Sequence, residues 1–461
     1  MGANAREIAM KDEAGREVEA ADIGVRVPHY GDPEVRRRMV DFLGGVSLRT
    51  ATAVFIQGTH LGADQLTPPL PPAELHSLLD ASCEIARSLW DRRSLLVDVD
   101  VEYVNFDFPG EVYLEPERSF ALQRPVVERF QELLGEAGIF PLHLLTGRGH
   151  HFLWTVSRES PAFRRLAALG RVAPPLAAAY AARHPPWKVR VDVPLGLAFA
   201  GLGLVMEHLG HRVRDDVSER CSVPVELGEI RVGPSRRGLE MVVIDLSEYG
   251  DALHTRRVTL PFSCYLKPRR RAALVGEHVE RNLEPISVIP DPGTSEAEAL
   301  QVMRGWEDAR RLAREASTTI PEHAGGMEEL IAAYESSELA RVHRHFYEED
   351  HELPSRWPET YDRLTFDDLP AEAAGALARP NDLLLQPAGL LAVVRALLER
   401  GWHPRHIAGL VRSKYERDHG WGARWYLDSA TARADYYVRL FTGMILLERD
   451  PLAPGRWSDS T

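Results

Sequence analysis

Two aspartates one residue apart are the first place where chemistry suggests itself. Asp98 and Asp100 stand in SLLVDVDVEYVNFD (94–107), where apolar and polar residues alternate as they do in a β-strand. Side chains at i and i+2 leave a strand on the same face, so the two carboxylates lie side by side. Like charges that close repel unless a cation lies between them, and hard oxygen ligands suit magnesium or manganese. The same alternation also describes a solvated strand face, with Asp98, Asp100 and Glu102 pointing into water. A D-x-D pair alone does not choose between the two.

A second group is TGRGHH, from Thr146 to His151. Its glycines let backbone amides approach an anion, and Arg148 adds a fixed positive charge suited to phosphate. Alternation puts His150 and His151 on opposite faces, so one of the two can serve a site. A plain glycine hairpin with a surface arginine would give the same letters. The third group begins with Asp245, at the end of the apolar run MVVID, and continues in RRVTLPFSCYLKPRRR with Pro261, Phe262, Ser263 and Lys267. Its closing arginines, Arg269, Arg270 and Arg271, suit a nucleic-acid backbone or a solvated helix start. Asp192, in VRVDV, is a rival for the third carboxylate. Asp245 is preferred because the PFSxxxK segment follows it.

In this order, D-x-D, then S/T-G-x-G-x-H, then a strand-borne aspartate with P-F-S-x-x-x-K, the groups resemble the archaeo-eukaryotic primase superfamily over residues 90–270. The resemblance implies an α+β fold of primase-polymerase type, with a mixed sheet carrying the metal-binding carboxylates. It implies that Asp98, Asp100 and Asp245 are catalytic and hold two divalent ions, Mg2+ or Mn2+. Thr146, Arg148, His151, Ser263 and Lys267 would bind the nucleotide. The activity implied is template-dependent nucleotidyl transfer, by a DNA primase or DNA polymerase, with single-stranded DNA template, primer and nucleoside triphosphates as partners. There are departures from the family pattern. Thr259 stands where a basic residue is frequent, although Arg256 and Arg257 are near. The gap from His151 to Asp245 is long, and no zinc-ligand cluster of the small-primase kind is evident. The alternatives are a metal-dependent nuclease or phosphodiesterase, and an inactive primase-fold scaffold.

The elements that must position these groups follow from the same patterns. Helices are expected over 34–43, 74–90, from Pro125 to Leu134, over 161–184 and over 387–401. Strands are expected over 141–145, 150–156, 188–193 and 238–247. Residues 1–25 read as a mobile segment, 26–284 as the catalytic domain, 285–300 as a proline-bearing linker and 301–461 as a helical accessory domain. In that last part, RVHRHFYEEDHE (341–352) groups His343, His345 and His351 with acids, which suits a metal site but reads more readily as a solvated helix. HPRHIAGLVRSKYERDHGWGARWY (403–426) reads as an amphipathic helix with core aromatics.

Composition sets the outer bounds. The chain has 461 residues, a net charge of −13 and 44% hydrophobic residues, which argues against a protein that coats nucleic acid non-specifically. Its three cysteines form no C-x-x-C pair, consistent with a reducing, cytoplasmic location. No uninterrupted apolar run reaches the roughly 20 residues of a membrane span. No GxxxxGK[ST] motif occurs, so any helicase would be a separate partner.

Overall fold

The computed structural model describes residues 27–60, 66–181, 192–227, 240–250, 257–266, 286–378, 387–416 and 430–448. The strands in chain order are β1 (Ile56–Thr59), β2 (Glu84–Ser88), β3 (Ser94–Asn105), β4 (Leu142–Leu145), β5 (Gly149–Ser157), β6 (Val225–Leu227), β7 (Glu240–Asp245), β8 (Arg257–Thr259) and β9 (Ile289–Pro290). The helices up to the last third of the chain are α1 (Pro33–Phe42), α2 (Leu75–Asp80), α3 (Glu111–Leu114), α4 (Pro116–Glu136), α5 (Pro161–Leu169), α6 (Pro174–Ala181) and α7 (Val193–Val217). Then follow α8 (Glu296–Arg304), α9 (Trp306–Glu315), α10 (Ala324–Glu335), α11 (Glu338–Phe346), α12 (Ala371–Ala378), α13 (Pro387–Glu399), α14 (Pro404–Tyr415) and α15 (Ala430–Glu448). The fold is α+β.

A six-stranded sheet in the order β6-β7-β3-β5-β4-β9 lies at the centre, and β1-β2-β8 form a smaller one. β3 runs antiparallel to both β5 and β7, while β6 is parallel to β7, which makes the large sheet mixed. The alternation within β3 explains its place. Val97, Val99 and Val101 enter one core with Phe130, Phe152 and Trp154, beneath α4 and α7. Leu96 and its neighbour Leu153 enter a second core with Ile85, Val258 and Phe262 of the smaller sheet and its flanks. Each such side chain contributes about 1.5–3 kcal/mol by burial, so β3 is anchored on both faces.

Four expectations are corrected. The helix expected over 74–90 stops at Asp80. Ser82 turns the chain with a positive φ of 56°, and the rest is strand β2. Its alternation is disguised because Arg87 is buried on the inward side between Ile85 and Leu89. Pro125 does not open a helix but lies inside α4, which starts at Pro116. The stretch 285–300 is not a free linker, since β9 pairs with β4 and α8 begins at Glu296. Nor does a separate helical domain begin at 301. Met303, Ala309 and Ala313 share the core of Val35, Met39 and Phe42, and α10 packs on α5, α7 and β5. Of the strand expected over 188–193, residues 188–191 lie outside the described residues, and Val193 starts α7.

Helix α7 is the one described helix long and apolar enough to cross a membrane, and 72% of its apolar window is buried in the protein. It carries Glu207, whose carboxylate meets His343 of α11 and Arg439 of α15, each at 3.0 Å. This buried pair of contacts ties the C-terminal helices to the sheet.

Arg87 is 1% exposed, pairs with Asp91 at 3.0 Å and donates to the Phe42 carbonyl at 2.7 Å. Removing one member of a buried pair strands the other charge, at a cost of about 3–5 kcal/mol. Arg87→Met should therefore lower the urea midpoint by that equivalent, and adding Asp91→Asn should restore part of it. Additive losses in the double variant would contradict the pairing.

Candidate active site

The strand register builds the site. Asp100 lies directly opposite His151 of β5 on one side and Asp245 of β7 on the other. Directly paired residues share a face. One row across three strands therefore holds Asp245, Asp100 and His151, with Asp98 and Glu102 two residues away along β3. Solvated carboxylates are not what this face presents: Asp98, Asp100 and Asp245 are 2%, 4% and 2% exposed.

Burial and crowding set the charges. Burial, then the neighbouring Glu102, Asp245 and Asp98, push the Asp100 carboxyl up to about 7, against the opposing pull of His151. Burial alone would drive the His151 imidazole down. The carboxylates of Asp98 and Asp100 outweigh it and raise His151 to about 10. His151 Nδ1 donates to Asp98 at 2.9 Å, and its Nε2 lies 3.9 Å from Asp100. Arg148 pairs with Glu102 at 2.6 Å, and Asp245 accepts from the Ser247 amide at 2.9 Å.

Tyr249 was not singled out by its sequence context. Its hydroxyl donates to the Asp98 carbonyl at 2.5 Å and accepts from the Asp98 amide at 3.2 Å. The β7 pairing ends at Asp245, so this side chain carries on the hydrogen bonding of β3 where no strand lies. Nothing in the sequence around it would have marked it.

The turn of TGRGHH is tighter than an anion cradle. Thr146 Oγ1 accepts from the amides of Arg148 and Gly149 at 3.3 and 3.2 Å, so those donors point inward. A Cβ on Gly149 would lie 1.9 Å from the Val101 carbonyl oxygen, and one on Gly147 would meet the Tyr265 ring at 2.5 Å. Both glycines serve close packing. Thr146 is therefore a turn residue. His150 points to the other face, where it meets His143 at 2.9 Å.

Ser263 is fully buried. Its hydroxyl accepts from the Ile85 amide at 2.8 Å and lies 3.3 Å from the Tyr30 hydroxyl. The hydroxyls of Thr146 and Ser263 both hold backbone amides in the folded chain. Lys267 lies outside the described residues. Asp192 caps the start of α7, accepting from the Leu195 amide at 2.8 Å, and pairs with Arg158, so it does not reach the row.

No family model, curated protein or solved structure matches the chain. The site is read from its own groups. Asp98, Asp100, Glu102 and Asp245 share this part of the sheet with His151 and Arg148. Hard oxygen donors of this kind fit a divalent cation of the magnesium or manganese type. The three aspartates are not gathered into one tight triad. The His151 ring bonds to Asp98 and leans toward Asp100, so an incoming cation would have to share Asp98 with it.

The sign of the pH dependence follows. A carboxyl raised from 3.8 to about 7 on folding destabilises the protein increasingly as pH rises from about 4 through 7. His151, raised to about 10, contributes fully below about 6.5 and loses its contribution as pH climbs toward 10. In chelator, Asp100→Asn should therefore melt about 2–4 °C above the parent at pH 8, with the gap closing toward pH 4. Calorimetry across that range reads it, and an equal or lower midpoint at pH 8 would refute the crowding.

Proposed function

We propose that the chain is a template-dependent nucleotidyltransferase of the primase-polymerase kind, joining nucleotides on a single-stranded DNA template with or without a primer. One observation carries the reading. The β7-β3-β5 register sets Asp245, Asp100 and His151 in a single row beside Asp98. The three carboxylates of the family-like motifs and the motif histidine thus share one surface, although the sequence separates them widely.

In this reading Asp98, Asp100 and Asp245 hold the divalent cations. Bound there, such ions supply Lewis-acid activation of a 3′-hydroxyl and neutralise a departing pyrophosphate. With no cation on the row, Asp98 and Asp100 hold the His151 proton at neutral pH. An imidazolium kept charged in that way is a hydrogen-bond donor for a triphosphate oxygen rather than a general base. Asp98 orients the ring through Nδ1, which leaves Nε2 as the donating atom. Arg148, fixed by Glu102, adds a second positive charge next to the same face. Tyr249 keeps the Asp98 backbone still, so the first carboxylate does not drift with the strand end. Unwinding would fall to a separate helicase.

Purified protein incubated with single-stranded template, manganese and labelled nucleoside triphosphates, with and without annealed primer, tests the reading. Asp98→Ala, Asp100→Ala and Asp245→Ala should each lower incorporation at least about 100-fold. Product without primer makes the enzyme a primase, and product only with primer makes it a polymerase. Template breakdown in place of synthesis would replace the reading with a nuclease on the same carboxylates, and complete inertness would favour a scaffold.

A further inference from the structure

The histidines of RVHRHFYEEDHE part company in the folded chain. His343 is buried against Glu207, and His351 pairs with Asp435 at 2.8 Å. His345 turns toward another helix. It sits in the last turn of α11, Glu348 follows just beyond the helix end, and His403 is the residue that caps α14. Among the described residues, these three form the one group of ligand-type side chains whose donor atoms all lie within 4.8 Å of one another.

We infer that His345, Glu348 and His403 bind one divalent transition-metal ion of the zinc class, which clamps the end of α11 to the start of α14. This site is separate from the carboxylate row and does not depend on the function proposed for it. Two imidazoles with one carboxylate form a donor set for zinc, cobalt or nickel rather than for magnesium.

The geometry is close to what binding needs. Ligand atoms around a tetrahedral zinc lie about 3.3–3.5 Å apart, given bond lengths of about 2.0–2.2 Å. His345 Nδ1 and Glu348 Oε2 are already 3.0 Å apart. The His345 and His403 rings meet edge to face, with centroids 4.3 Å apart. The Nε2 atom of His403 is buried and has no hydrogen-bond partner.

An outer carboxylate is also in place. Glu349 lies 3.8 Å from His403 Nδ1 and 2.9 Å from His406 Nε2. Coordination through Nε2 puts the His403 hydrogen on Nδ1, where Glu349 can accept it, an arrangement that orients metal-bound histidines. The Arg405 amide, which Nδ1 now caps at 3.2 Å, is given up in exchange. The ion closes the long chain segment between the two helices, so binding adds to folding stability.

The test uses the full chain with Asp98→Asn, Asp100→Asn and Asp245→Asn as the parent, so that the carboxylate row takes up no metal. After chelator treatment, zinc is titrated by calorimetry and cobalt by its visible d–d absorption. The parent should bind one equivalent of each and melt higher with zinc. His345→Ala and His403→Asn should weaken binding about 100-fold or more and abolish the zinc-dependent rise. Glu349→Gln should weaken it about tenfold. Asparagine at 403 retains a helix cap, so its loss of metal would not reflect fraying of α14. A parent that takes up no zinc, or variants that bind it as tightly as the parent, would overturn the site.

Discussion

The repulsion among carboxylates set into the middle of a buried sheet is the constraint on which the rest of this structure depends. Asp98, Asp100 and Asp245 are drawn out of water on strands whose flanking residues are core aliphatics. Left alone, such a row would either take up protons or push the strands apart. The fold answers with two cations brought in from the β4–β5 hairpin, His151 by register and Arg148 by its pairing with Glu102. The hairpin turn has to come very close to β3 for this. That closeness is why Gly149 has room for no side chain and why Thr146 spends its hydroxyl on the turn.

A compensated cluster of this sort needs a stiff platform. The aliphatic faces of β3 supply most of it, one side under α4 and α7 and the other against the small sheet. Tyr249 supplies the rest, standing in for a neighbouring strand at Asp98. The short turn that carries Tyr249 is itself packed by α15, with Tyr436 against Gly250. The C-terminal helices thus reach the back of the site by contact.

What was legible in the sequence was what repeats with a period. Alternation in β3 placed Asp98 and Asp100 together, and the same rule separated His151 from His150. The apolar run before Asp245 marked a buried strand end. What was not legible depended on partners far along the chain. Arg87 breaks the apolar side of β2 with a charge, and its burial there follows from its pairing with Asp91. Ser263 and Thr146 matched a nucleotide-pocket pattern, yet a hydroxyl satisfies a backbone amide as well as a ligand. Tyr249 and Asp98 are joined only by the fold. The two residues of β9, Ile289 and Pro290, carry no periodic signal at all.

Those two residues shape how the protein must be made. Strand β9 covers the outer edge of β4, with Leu144 opposite Pro290 and Leu145 opposite Ile289. During synthesis the carboxylate strands, the hairpin and β7 all emerge well before residue 289. Until that point the growing chain carries an unpaired strand edge beside an apolar core, a surface that invites pairing with other chains. The large sheet is therefore finished late, and a fragment ending at the proline-bearing stretch would keep every carboxylate yet leave that edge open to neighbours.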